Sequence, residues 1–153
     1  MSAIAFFVSG DPKAQPRPRA FARGGKVRMY DPGTAEGWKG LIAAAAKQHR
    51  PPAPLTGPVY LTILYLLRRP KSHFHTGKHA GELKPTAPDF HAGKRFDLDN
   101  LSKAVMDCFT QLGFWEDDGQ VALLGVEKHW TRQDGRAGAF ISLEAIQEPP
   151  IEP

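Results

Sequence analysis

At 153 residues, 41% hydrophobic and 24% charged, the chain has the size and balance of one globular domain with a sizeable core, which excludes fibrous and disordered classes. Its formal charge of +4 is unevenly spread, with nine Lys or Arg against three acids in residues 1–50, seven against four in 51–100 and four against nine in 101–153. That asymmetry suits a polyanion held by one region and processed by carboxylates in another.

Residues 3–9 favour a strand, closed by Gly10-Asp11-Pro12. No apolar run reaches the about eighteen residues of a membrane span, and the apolar start has no basic flank for a secretory signal, so a cytoplasmic protein without a membrane partner is expected. The next segment, about 10–33, is too dense in Pro and Gly for a helix and interleaves Phe21 and Tyr30 with Arg17, Arg19, Arg23, Lys26 and Arg28. It reads as a basic arm. Asp31-Pro32-Gly33-Thr34 signals a helix start, and Trp38, Leu41, Ile42, Ala45 and Ala46 follow at helical spacing to about His49. Trp38 is expected as a core or interface anchor, and Arg50-Pro51-Pro52 breaks the helix.

Residues 59–67 are the most apolar run in the chain and are expected as a central strand. Arg68, Arg69 and Lys71 stand at its exit and open a long irregular loop, about 70–96. His73, His75, His79 and His91 lack the cysteines or helical spacing of a zinc site and read as polar loop residues.

Apolar residues then recur every three or four positions at Leu98, Leu101, Val105, Cys108, Phe109 and Leu112, which defines an amphipathic helix over about 99–112. Asp99 is the N-cap, or Asp97 if the helix starts earlier, and Gly113 suits the left-handed C-cap. The lone Cys108 falls on the apolar face and reads as a buried small hydrophobe. Residues 120–131 and 139–146 read as two strands joined as a hairpin across Asp134-Gly135, followed by a tail at about 147–153. The expected fold is a single α+β domain of order β-α-β-α-β-β, a mixed sheet with helices packed on it.

The chemistry concentrates between Arg95 and Val121. Asp99, Lys103 and Asp107 share one stripe of the helix, since residues four apart stack along its axis. A cap needs one carboxylate, yet Asp97 precedes Asp99 by two residues, and Glu116, Asp117 and Asp118 follow the helix. Clustered carboxylates repel one another unless shared protons or a hard divalent cation hold them, and Mg²⁺ takes one or two carboxylates while keeping waters or phosphates elsewhere. Acidic clusters at helix ends are equally often solvated turns. An EF-hand loop is excluded, because Leu101, Ser102 and Cys108 stand where it needs an oxygen ligand, a glycine and a glutamate.

The motif Asp97-Leu-Asp99-Asn100-Leu-x-Lys103, then Asp107, then Gly113-Phe-Trp115-x-Asp117-Asp118-x-Gln120-Val121 resembles the core of the RusA family of Holliday junction resolvases. The resemblance implies a homodimeric endonuclease, common in phages and prophages, that cuts four-way DNA junctions by paired symmetric nicks with Mg²⁺, for which Mn²⁺ can substitute. It assigns Asp97, Asp99 and Asp118 as metal-binding catalytic acids and Lys103 as the catalytic lysine, with Asp117 ranked below them. Candidate DNA contacts are Arg17, Arg19, Arg23, Lys26 and Arg28 in the arm and Arg68, Arg69, Lys71 and Arg95 around the loop, because guanidinium forks and ammonium groups suit phosphate oxygens. The chain departs from the family pattern at Arg95-Phe96, where relatives carry Lys-Pro, and in its long loop. A DNA-binding protein without cleavage, or a less specific metal-dependent nuclease, are the competing readings.

Overall fold

A computed structural model describes residues 3–14, 19–23, 26–30, 36–133 and 135–148. Its main sheet has the strand order β1-β6-β4-β5, built from β1 (Ile4–Ser9), β4 (Val59–Leu67), β5 (Val121–Trp130) and β6 (Gly138–Ala145). Two helices, α1 (Glu36–Lys47) and α2 (Leu98–Leu112), pack on one face. This is the α+β arrangement expected, with the main-sheet strands and helices in the order β-α-β-α-β-β. The basic arm adds one element not foreseen, a separate antiparallel pair of β2 (Arg19–Arg23) and β3 (Lys26–Tyr30).

β4 is central because its alternate residues Val59, Leu61, Ile63, Tyr65 and Leu67 are all buried and both its edges are paired. Its inward face meets Ile42 and Trp38 of α1 and Leu101, Val105 and Phe109 of α2 in one core. Parallel neighbours cannot be joined by a tight turn, and α2 lies in the crossover that carries the chain from β4 to the parallel β5. The register slips at Val59/Tyr60, where Ala122 is the extra residue on β5, so that Leu123 pairs with Tyr60.

The hairpin expected between the last two strands does not form. β5 and β6 lie on opposite sides of β4, so the connection from Trp130 to Gly138 crosses from one side of β4 to the other, and at its start the Thr131 amide donates to the Leu67 carbonyl at 2.9 Å. The crossing spans roughly 10 Å, two interstrand spacings, within reach of seven residues. It happens because the most apolar strand gains more by pairing on both edges than β5 and β6 would gain from each other.

Among the described residues no helix covers the opposite face of the sheet. Phe7, Tyr60, Leu64 and Phe140 line an open trough of about 690 Å³ there, and Leu123 and Phe140 are 53% and 51% exposed. Among the described residues no helix is long and apolar enough to cross a membrane.

The long loop is internally bonded. His75 donates to the Glu82 carbonyl at 2.8 Å and Lys84 to that of His73 at 2.9 Å. Asp89–His91 then runs along the outer edge of β5, with Trp130 donating to the Asp89 carbonyl at 2.8 Å and Phe90 packed at a tilt on His129, ring centroids 4.3 Å apart. Arg69 anchors this arrangement. Its side chain is only 3% exposed, and Nε and Nη1 donate to the carbonyls of Thr131 and Pro88 at 2.6 and 2.8 Å.

Candidate active site at the start of the second helix

Helix α2 begins one residue earlier than its periodicity suggests, and Asp97 is its N-cap: Oδ1 accepts the Asp99 amide at 2.9 Å. The side of α2 carrying Leu101, Ala104, Val105, Cys108 and Phe109 is buried, which turns Asp99 and Lys103 to the surface one turn apart. Cys108 packs against α1, its thiol pushed up by burial, as a buried hydrophobe should.

The helix ends on Gly113 at φ 78°, a left-handed position where a side chain would be strained, and the chain reverses there. Phe114 and Trp115 then bury completely, with the indole Nε1 donating to Thr110 Oγ1 at 2.7 Å. With those two rings locked in the core, Glu116, Asp117 and Asp118 are exposed, and Asp118 faces back onto α2.

The outcome is a shallow cleft of about 450 Å³ between α2 and β5. Asp99 and Lys103 line it from the helix, Asp118 from the acidic turn, and Met106, Leu124 and Val126 form its apolar floor. Asp118 also borders a second hollow of about 350 Å³ that includes Asp107, Glu116 and Asp117. The adjacent carboxyls of Asp117 and Asp118 act on each other and move apart in acidity. Asp118 is pushed above the usual carboxylate range, first by its interaction with the Asp117 side chain and then by slight burial and the charges of Asp117 and Asp107. Asp117 is held below it, mainly by the Gly119 amide at 2.8 Å and then by Asp118.

Three of the four residues expected to do the chemistry, Asp99, Asp118 and Lys103, therefore share one cleft. Asp97 does not line it: it directly precedes Leu98, which does, and its carboxylate is engaged as the helix cap. Among the described residues no three His, Cys, Asp or Glu side chains converge closely enough to hold a metal by themselves. The donors that Asp99 and Asp118 offer are nonetheless all carboxylate oxygens, with Asp117 beside them. That chemistry fits Mg²⁺, which needs only one or two protein carboxylates.

Gln120, present in the motif but given no role there, also matters. The Gln120 amide uses both its ends: Oε1 accepts the backbone N–H groups of Glu116 and Asp117 at 2.9 and 3.3 Å, and Nε2 donates to the carbonyls of Leu55 and Gly57 at 2.9 and 3.0 Å. This clamps the acidic turn to the segment leading into β4. The signal available in the sequence was a glutamine three residues after Asp117, the spacing of a capping box.

Of the candidate DNA contacts, Arg68 and Arg95 line a cleft of about 620 Å³ with Lys13, His91 and Trp130. Arg68 is paired there with Asp11 at 3.1 Å, both exposed, and the Arg95 guanidinium lies 5.6 Å from the Phe96 ring centroid. Lys71 is exposed at the loop's first turn. Arg69 differs from these, since its guanidinium is turned inward onto the loop. Arg19, Arg23, Lys26 and Arg28 lie on the β2–β3 pair, and Arg17 lies outside the described residues.

An α+β domain with an acidic, lysine-bearing cleft beside basic surface has the outline of an enzyme acting on nucleic acid. The sequence profile of the family described as Endodeoxyribonuclease RusA matches residues 9–143, and the chain belongs to that family. It is 37% identical over 138 residues, 87% of this chain and 92% of the relative, to the uncharacterized protein YqaN of Bacillus subtilis strain 168. It is 49% identical over 43 residues to the crossover junction endodeoxyribonuclease RusA of Escherichia coli K12, a match covering 28% of this chain and 36% of the relative. The RusA enzyme of Enterobacteria phage 82 matches over the same shares.

Proposed function

We propose that this chain is a Mg²⁺-dependent endodeoxyribonuclease that resolves four-way DNA junctions by paired nicks, acting as a homodimer. The observation that carries the reading is the convergence of Asp99, Lys103 and Asp118 on one cleft, with Asp97 capping the helix that bears two of them, in a member of the RusA family.

Asp99 and Asp118, with Asp97 released from its capping bond, are the residues that would hold Mg²⁺. When bound, the ion supplies water activation and offsets charge on the phosphate. Lys103, on the same helix stripe as Asp99, is placed to donate to a phosphate oxygen as charge builds there. Arg95, Arg68 and Lys13 line the approach and hold the backbone on either side of the scissile bond, contacts that set position rather than sequence. Asp117 contributes indirectly, by fixing the turn and tuning its neighbour. A second copy on the uncovered apolar face of the sheet would bury Tyr60, Leu123 and Phe140 and give a twofold pair of sites for a twofold substrate.

The test is a labelled synthetic four-way junction incubated with Mg²⁺ or with EDTA, beside plain duplex and free nucleotides. Symmetric nicks in Mg²⁺ alone, abolished in a folded Asp99→Asn variant, are expected. Junction binding without any nick in Mg²⁺ or Mn²⁺ would instead make this a DNA-binding protein, and equal cutting of plain duplex a less specific nuclease.

A further inference from the structure

The turn that delivers the chain to Asp97 is held from below by a side chain outside the family motif. Lys128 stands on β5 opposite Tyr65. Its Nζ donates to two backbone carbonyls of the preceding loop, Phe96 at 2.8 Å and Gly93 at 3.1 Å. These bracket the short 3-10 turn Lys94–Phe96, which ends at Asp97. The Lys128 carbonyl also accepts the His91 amide at 3.3 Å, so one strand position grips the incoming segment by both main chain and side chain. On its far side Asp97 is fixed by α2, whose Leu101 amide donates to the Asp97 carbonyl at 3.0 Å. Asp97 is thus suspended between two anchors, a helix and a lysine.

We propose that Lys128 is a positioning residue that sets the backbone from which Asp97 presents its carboxylate, and through it the cation affinity of the site. This rests on the metal-dependent reading above. An ammonium is well suited to such a grip, because it carries three donors, its charge strengthens each bond to a carbonyl, and a flexible stem lets it reach two carbonyls three residues apart. Outer groups that orient a metal-binding carboxylate typically account for about 10–100-fold in metal affinity.

The experiment uses the full chain without DNA. Mn²⁺ binding is followed by the loss of the free-ion EPR signal, and exchange of the Asp99 amide, bonded to the Asp97 carboxylate, is followed by NMR. In Lys128→Met, Mn²⁺ affinity is expected to fall about tenfold or more. Asp99 exchange should accelerate while amides in the middle of α2 stay protected, and Lys128→Arg should recover part of both. Junction affinity in EDTA should change less than twofold, which separates lost positioning from lost DNA contact. Wild-type Mn²⁺ binding retained within twofold in K128M, with Asp99 exchange unchanged, overturns the proposal. If the wild type binds no Mn²⁺ and cuts no junction, the metal-dependent reading fails, and Asp99 exchange alone then decides whether Lys128 places Asp97. Should K128M fail to fold, K128Q, which keeps one donor, is read by the same two measurements.

Discussion

Arg69 separates two roles that an arginine beside a DNA-binding surface can play. In Arg69→Ala, the two bonds to the carbonyls of Thr131 and Pro88, at 2.6 and 2.8 Å, are lost together. A hydrogen bond from a charged donor contributes about 1.5–3 kcal/mol, and water entering a truncated site recovers part of it, so a net loss of about 3 kcal/mol is expected. The ion pair with Asp89 adds little, because it is 3.8 Å long and the carboxylate is 88% exposed. For a chain of this size the loss corresponds to a fall in Tm of roughly 6–12 °C. Calorimetry measures that directly, and the salt dependence of junction binding supplies the contrast. A lost phosphate contact lowers the slope of log K against log salt by about one. Arg68→Ala should show that change with an unaltered Tm, and R69A the reverse. A Tm within 2 °C of wild type in R69A, together with a slope lowered by about one, would refute the inward reading of Arg69.

Lys103→Met should leave junction affinity unchanged while slowing single-turnover cleavage by about a hundredfold or more, the scale of removing one donor to a developing charge. Leu123→Lys combined with Phe140→Lys should turn a dimer into a folded monomer in sedimentation velocity, and a dimer surviving both would place the interface elsewhere. His91 and His73 are each held below the usual histidine range, first by burial and then by neighbouring cations, Lys128 for His91 and Arg69 and Lys84 for His73. The unfolded chain therefore binds these protons more tightly than the folded one, so stability should fall as pH drops below about 6.5, towards the lower folded values. Urea midpoints at pH 7.5 and 5.5 check the sign, and His91→Gln should shrink the difference. Gln120→Ala should free the acidic turn, seen as faster amide exchange at Glu116 and Asp117.

What could be read in advance were the features that local rules control. The strand at Val59–Leu67 announces itself as the most apolar run in the chain, and α2 by a period, a cap and a left-handed glycine, so its stripe of Asp99 and Lys103 followed from helix geometry. The pairing of β5 with β4 instead of β6 was hidden, because a turn signal such as Asp134-Gly135 is local and the competition for the edges of β4 is not. The β2–β3 pair was legible in hindsight from Gly24-Gly25 between two five-residue stretches, but the density of prolines and arginines masked it. Arg69 and Lys128 could not be distinguished from other basic residues by sequence, since only the packed loop reveals which carbonyls they serve. The convergence of Asp99 with Asp118 depended on the buried Phe114-Trp115 pair, whose effect on the following turn is a matter of tertiary packing.

The placement of β6 also governs when this protein can become itself. Among the described residues β1 pairs only with β6, joining Ile4 to Leu143, and β4 holds β6 on one edge from Val59 to Leu66. A chain emerging from a ribosome can form α2 and dock it, yet β1 waits for β6, which arrives more than 120 residues later. Such long-separation pairing folds slowly and late. The acidic cleft is complete by Val126, well before the sheet closes, so a nascent chain carries its acidic cluster on an unfinished platform. Loss of β6 through a premature stop would strip β4 of an edge and β1 of its only partner. Truncated forms of this chain should therefore be cleared by proteolysis rather than persist as loose nucleases.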